Sequence, residues 1–364
     1  MMSPSRPPAF ARPSFRQPSR LLACTAALAV LTTASFAAHA QTKTLYIGMN
    51  GGNMEKTYTQ FVFGPFEQKN NVKVVVVPGG SSDILAKAQA AKDKPQMHVM
   101  FLDDGVMYRA IGMGLCEKQK PNPGLAGLLP VAHIKDDMAT GVTISMTGLA
   151  YNTKVYADKG WAPPTSWLDM ADPKLKGKLV FQSLSSSTFG LHAFLAFNKL
   201  KGGTDSNVEP GFSAWPKTIG PNVVEYIASS AKISEMAQTG EAALFPYTPT
   251  QVTILKSKGI PVEYVQPKEG AVVLMVAQCV IANNSEPQLA QELAAYLLSP
   301  EAQGKALENG SFNPTNTKVQ VTGPAAAEQK RMNEFLKNSR AVDWDEINKN
   351  RAVWNTRWNR TIER

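Results

Sequence analysis

Five hydroxyls crowd into six residues at Ser183-Leu184-Ser185-Ser186-Ser187-Thr188, immediately before the helix-prone FGLHAFLAFNKLKGG. Hydroxyls at a helix start can cap the backbone N–H groups that the first turn leaves without partners. They can also join those amides and the positive end of the helix dipole in holding an anion. Capping needs one such residue, and this stretch supplies five. Comparable polar stretches recur along the chain: Asn50, Gly51 and Asn53 in NGGN, Ser81 and Ser82 in PGGSSD, and Tyr247 with Thr248 ahead of PTQVTILKSKG. In PGGSSD, Gly79 and Gly80 let backbone approach a bound group closely. Asp103 and Asp104 in DDG differ in charge: either carboxylate can hold an amine or cap the helix that follows.

Catalytic arrangements are not expected. The chain holds no HExxH, GxSxG or P-loop, and GMG at 112–114 lacks the remainder of a dinucleotide fingerprint. His98, His133 and His192 sit in unrelated contexts and read as structural residues. No Cys/His/carboxylate spacing suggests a metal site, so neither a metal nor a cofactor is expected, and the chain does not read as an enzyme.

The polar stretches follow a regular order of elements. KTLYIGM alternates as a strand and leads into NGGN, then EKTYTQFVFGPFEQKN carries apolar residues at helical spacing. VKVVVV is a continuous β-branched run of the kind buried in a parallel sheet, followed by PGGSSD and the helix ILAKAQAAK. MHVMFL leads into DDG and a further helix. Strand, polar loop and helix thus occur three times, the pattern of a parallel α/β sheet. KLVFQ, ALFPY and IPVEYVQPK add strands, and KISEMAQTGEA and TPTQVTILKSKG add helices. In open α/β sheets ligands bind beyond the carboxyl ends of strands, where loops enter helices, and every polar stretch above holds such a position. Two long apolar strands, at 142–150 and 271–282, are candidate crossings between two lobes. The tail beyond Pro324 reads as helical, with Trp344, Trp354 and Trp358 as packing anchors.

The first forty residues carry Arg6, Arg12, Arg16 and Arg20 without an acid, then the apolar LLACTAALAVLTTASFAA, then Ala38-His39-Ala40. Charged, apolar and small-residue regions in that order predict a signal peptide over 1–40, cleaved after Ala40, and hence periplasmic delivery. Leu21-Leu22-Ala23-Cys24 resembles a lipid-attachment box, but its Cys precedes most of the apolar run, which favours ordinary cleavage. The formal charge of +9 loses four positive charges with that segment, and no Lys/Arg cluster marks a nucleic-acid groove. Residues 41–364 exceed the usual size of one core, so two lobes are expected. The boundaries read 41–145 plus 277–314 for one lobe and 146–276 plus 315–364 for the other. Cys116 and Cys279 leave two alternatives, a disulfide or two separate thiols, and the second is expected because a large core does not need a staple.

TGLAYNTK, GKLVFQS, GEAALF, the PKEG of VEYVQPKEGAVV, and ANNSEPQLAQELAAYLLSPEAQGKAL with its following NPTN resemble, in that order, the periplasmic solute-binding proteins of ABC importers. The subgroup is the one that contains the spermidine/putrescine binders, with ferric-iron and thiamine binders as relatives. The resemblance implies a two-lobed type II periplasmic-binding-protein fold: an α/β chain in two hinge-linked lobes, each a mixed, mainly parallel sheet flanked by helices. It implies a monomer that captures a small solute and hands it to a membrane permease. Its pocket loops fall on Asn50 to Met54, Gly80 to Asp83, Asp103 and Asp104, Ser185 to Thr188, and Tyr247 with Thr248. Polyamine binders of the family place an aromatic, a Met and an Asp after PKEG, where this chain has Leu274-Met275-Val276, and carboxylates where it has SLSSST. A buried dication needs carboxylates or ring faces to replace its water. The expected ligand is therefore a small carboxylate, zwitterion or phosphonate; a polyamine is the alternative ligand, and a chemosensory receptor the alternative use.

Overall fold

Strand β1 (Lys43–Met49) lies at the head of a β-α-β series that continues through β2 (Val72–Pro78) and β3 (Val99–Asp103). The structure is a computed structural model and describes residues 42–228 and 230–363. The expected signal peptide, with Cys24, lies outside the described residues. The remaining strands are β4 (Cys116–Glu117), β5 (His133–Ile134), β6 (Ala139–Asn152), β7 (Leu179–Gln182), β8 (Val223–Ile227), β9 (Leu244–Tyr247), β10 (Val262–Val265), β11 (Ala271–Ile281) and β12 (Ser339–Arg340).

The hydrogen-bonded order is β2-β1-β3-β11-β6-β9-β7-β8, with β5 and β10 pairing β6 and β4 and β12 pairing β11 off that path. Each end is a parallel group: β2, β1 and β3 on one side, β9, β7 and β8 on the other. β6 and β11 lie antiparallel between them, from Val272 opposite Thr147 to Gln278 opposite Thr140, with a register shift at Val276/Ala277. β6 then changes partners: its first half pairs β11, and Gly148 to Tyr151 pair β9. These are the two long strands expected to cross between lobes, and the fold is the two-lobed α/β arrangement that the residue pattern implied.

Buried side chains divide in the same way. One cluster, with Ile47, Val99, Phe101 and Ile281, packs under the β2-β1-β3 side. Another, with Phe181, Phe194, Trp215 and Trp358, fills the opposite side, where the rings of Trp215 and Trp358 lie 5.2 Å apart. Trp344 and Trp354 are buried too, as expected of anchors for the helix Trp344–Thr361.

Two expectations need correction. VKVVVV is an edge strand with one neighbour, so Val72 and Val74 are buried while Val75 stays 37% exposed; a β-branched run satisfies a half-covered edge as well as a buried centre. Cys116 and Cys279 are joined in a disulfide with Cα atoms 5.6 Å apart, because β4 pairs the end of β11 and brings residues 163 positions apart within bridging reach.

Candidate functional site

A cavity of about 830 Å³ opens where four helices begin, at Asn53, Ser81, Thr188 and Pro249. Asn50, Gly51 and Asn53 line it from the loop after β1, and Asn53 Nδ2 donates to the carbonyl of Gly310 at 3.3 Å. Ser81 and Ser82 line it from the helix Ser81–Ala90, whose N-cap, Gly80, offers no side chain, so the first-turn amides lack an intramolecular cap. Asp103, at the end of β3, donates its backbone N–H to Ser81 Oγ at 3.0 Å. Tyr247 and Thr248 line the far wall, where Thr248 Oγ1 accepts from Gln251 N and caps the helix Pro249–Ser257. Tyr247 stands edge-on to Phe189, ring centroids 5.6 Å apart.

The five hydroxyls of SLSSST separate into distinct tasks. Ser187 is the cap: its Oγ accepts from Phe189 N at 3.2 Å and donates to Gln182 Oε1 at 2.7 Å. Ser183 turns away from the cavity, donating to Glu363 Oε2 at 2.6 Å and lying 2.8 Å from Ser185 Oγ. Thr188 donates to Asp103 Oδ2 at 2.6 Å, joining this loop to the end of β3. Ser185, Ser186 and Thr188 all line the cavity, and Ser186 is exposed to it. The turn can sit this close to β7 because of Gly190: a Cβ there would lie 1.9 Å from the carbonyl oxygen of Gln182.

Eleven of the twelve residues singled out in the sequence therefore share one cavity, and Asp104 does not. It is the first residue of the helix Asp104–Gly112, turned the other way from its neighbour, and its Oδ1 accepts from Gly105 N at 3.0 Å. Burial pushes its carboxyl up to about 8, against hydrogen bonds from Trp344 and from the backbone of Gly105 and Met275; the charge of Asp103 adds to the rise. Burial also raises Asp103, and its hydrogen bonds with Thr188 and Ser81 oppose the rise.

Other lining residues carried no signal in the sequence. Gln182 is the last residue of β7 and 2% exposed; because Ser187 spends its proton on Oε1, the Nε2 amide has no partner among the described residues. Ser145 Oγ, on β6, is likewise buried without one. Leu274 and Val276, alternate residues of β11, supply apolar lining together with Phe189 and Phe312, whereas Met275 between them faces the core. The charged residues among the described lining are Asp83, Asp103 and Lys258. A cavity with many dipoles and few charges exchanges a solute's water for amides and hydroxyls rather than for counter-ions.

The histidines lie outside this lining. His98 Nδ1 accepts from Tyr46 N at 2.9 Å, and His133 pairs Asp137 at 2.6 Å. His192 contacts Thr147 Oγ1 at 3.0 Å, and its ring is held down to about 3 by burial and then by the charges of Arg340 and Arg351. Among the described residues no group of three His, Cys, Asp or Glu side chains could hold a metal, and no helix is long and apolar enough to cross a membrane.

Comparison with known proteins agrees with this geometry. A family model described as bacterial extracellular solute-binding protein matches residues 62–333. A protein of Haemophilus influenzae without an assigned function is 26% identical over 67% of this chain and 70% of its own length. The spermidine/putrescine-binding periplasmic protein of Escherichia coli is 24% identical; the match spans 50% of this chain and about half, 51%, of that relative. The solved structure of the periplasmic binding protein AfuA from Actinobacillus pleuropneumoniae, with fructose-6-phosphate bound, superposes with a TM-score of 0.74 at 23% identity, covering 89% of this chain and 99% of that one.

Proposed function

The chain belongs to the family of bacterial extracellular solute-binding proteins, and from that premise we propose that it captures a small polar organic solute in the cavity between its lobes and delivers it to the permease of an ABC importer. The family is one of transport receptors rather than enzymes. The leading ligand class is a small carboxylate, zwitterion or phosphonate. The observation that carries this reading is the run of donors in the lining: an uncapped helix start at Ser81, the exposed Ser186, the unpartnered amide of Gln182, and Lys258, in a lining that also holds the two acids Asp83 and Asp103. Such donors replace the hydration of an oxyanion without a full counter-charge.

The lobes on this reading are 41–145 plus 277–314 and 146–276 plus 315–364, with β6 and β11 as hinge strands. A cleaved leader would send the chain to the periplasm, where this reading has it act as a monomer. Polyamine binding is the second reading, favoured by Asp103 among the rings of Phe189, Tyr247 and Phe312 and by the likeness to the Escherichia coli relative. The discriminating experiment is a ligand panel read by thermal shift and calorimetry on residues 41–364. Carboxylates, amino acids and phosphonates are expected to raise Tm more than putrescine or spermidine does. Submicromolar binding of spermidine with no response to any anion would overturn the leading class.

A further inference from the structure

Behind the SLSSST turn lies a second, smaller cavity of about 50 Å³, lined by Ser82, Ser185, Ser186, Arg109 and Arg351 together with part of the last helix. It shares Ser82 and the stretch Ser185 to Thr188 with the large cavity, so the hydroxyl turn forms a common wall. Arg351 enters from the helix Trp344–Thr361 and donates Nη2 to the carbonyl of Leu184 at 2.5 Å. Its Nη1 is sealed from solvent and has no partner among the described residues. The charge that acts on Arg351 is another cation, Arg109, exposed on the helix Asp104–Gly112. Burial first, and Arg109 second, bring the Arg351 guanidinium down to about 9.

A guanidinium with a buried, unmatched N–H bears a desolvation penalty that water relieves only in part, since water brings no charge. The start of the helix Thr188–Leu200 adds positive dipole at the same wall. We propose that this side cavity binds a small oxyanion of the phosphate, phosphonate or sulfate type, held by Arg351 Nη1 and Arg109 and flanked by the Ser185 and Ser186 hydroxyls. Arginine's planar fork suits such oxygens. The anion is either free in solution or the charged end of a solute whose body fills the large cavity, and the site's chemistry is the same for both. The inference does not depend on which solute the cleft takes.

The test uses the chain from residue 41 onward, freed of multivalent anions by dialysis, with inorganic phosphate titrated at constant ionic strength against potassium chloride. Saturable stabilisation by phosphate and not by chloride is expected. Arg109→Gln, an exposed substitution with little risk to folding, is expected to weaken phosphate by about tenfold, one charge-assisted contact's worth. Arg351→Gln is expected to abolish the response, with its cooperative melt checked by circular dichroism. 2-Aminoethylphosphonate and glucose 6-phosphate form the second arm. Tighter binding of either than of phosphate, lost together with phosphate in Arg109→Gln and weakened by Tyr247→Ala, assigns the site to the end of a cleft solute; organic anions that bind no tighter than phosphate and ignore Tyr247→Ala assign it to free anion. Failure of every organic solute would remove the cleft reading and leave the phosphate arm standing. Phosphate titrations that are absent, or identical in wild type, Arg109→Gln and Arg351→Gln, would overturn the inference.

Discussion

Asp103 and Asp104 are adjacent carboxylates with opposite surroundings, and the difference comes from one peptide step. Asp103 closes β3 and accepts a hydrogen bond from Thr188 across the cavity, whereas Asp104 opens the next helix and is buried beside Gly105 and Trp344. The sequence marks both as helix-start acids and cannot choose between them, because the choice depends on where the strand ends. Asp104 has a pH consequence with a defined sign. Its carboxyl titrates near 3.8 when unfolded and at about 8 when folded, so between those values the folded chain holds the extra proton and stability falls as pH rises. His192 acts oppositely, gaining stability as pH rises from about 3 to 6.5, and is neutral in both states above that. The window from pH 6.5 to 8 is clear of His192; Asp103 is raised in the same direction, and the Asp104→Asn variant separates the two carboxyls. There the wild type should lose on the order of 1–2 kcal/mol, and Asp104→Asn should lose much less. Melting temperatures at the two ends of the window decide it, and parallel losses in both proteins would refute the assignment.

At the scale of elements, the strand-loop-helix order was legible because it is written in local chemistry: β-branched runs, then Gly, Asn and Ser, then residues at helical spacing. What was not legible depended on neighbours. β8, Val223–Ile227, is short and largely exposed on a sheet edge, so its pattern is weak. Gln182 reads as an ordinary strand residue until Ser187 takes its carbonyl oxygen and strands its amide in the cavity wall. The disulfide needs a register that only the fold supplies. The seat of the hydroxyl turn is equally non-local, since it rests on Gly190 lying against the carbonyl of Gln182. Gly190→Ala should therefore displace the helix Thr188–Leu200 from β7, costing about 1–3 kcal/mol as overpacking does, and weaken solute binding along with it. Gly112 provides the contrast: it is the last residue of the helix Asp104–Gly112, with open space where an added methyl group would sit, so Gly112→Ala should stabilise by about 0.5–1 kcal/mol. Chemical denaturation of both variants reads the difference, and equal shifts would remove the packing argument.

For the whole molecule, the contacts that span the proposed lobe division include a cluster in which Thr315 and Asn316 bond Gln303 and Thr317 bonds the carbonyl of Gly127, a bond between Trp344 and the buried Asp104, and several single side-chain contacts. Thr188 reaches Asp103 at 2.6 Å, Thr250 Oγ1 donates to the carbonyl of Ser311 at 3.2 Å, Asn348 Nδ2 donates to that of Gly105 at 3.0 Å, and Lys135 pairs Asp345 at 2.5 Å. The hydrogen bonds to carbonyls contribute about 0.5–1.5 kcal/mol each and one to a charged carboxylate about 1.5–3 kcal/mol, and an exposed ion pair about 0–1 kcal/mol. Single contacts of this size leave room for a solute that bridges both walls to bias closure by its own contacts. The last two contacts lie away from the large cavity and can be removed without touching its lining. Lys135→Ala combined with Asn348→Ala should leave the solute-free chain more open, with a larger radius of gyration in solution scattering than the wild type. Saturating solute should bring the two proteins to the same value, at an affinity lowered in proportion to the lost closed fraction. Identical radii without solute would mean that the hinge strands β6 and β11, not these contacts, set the resting angle.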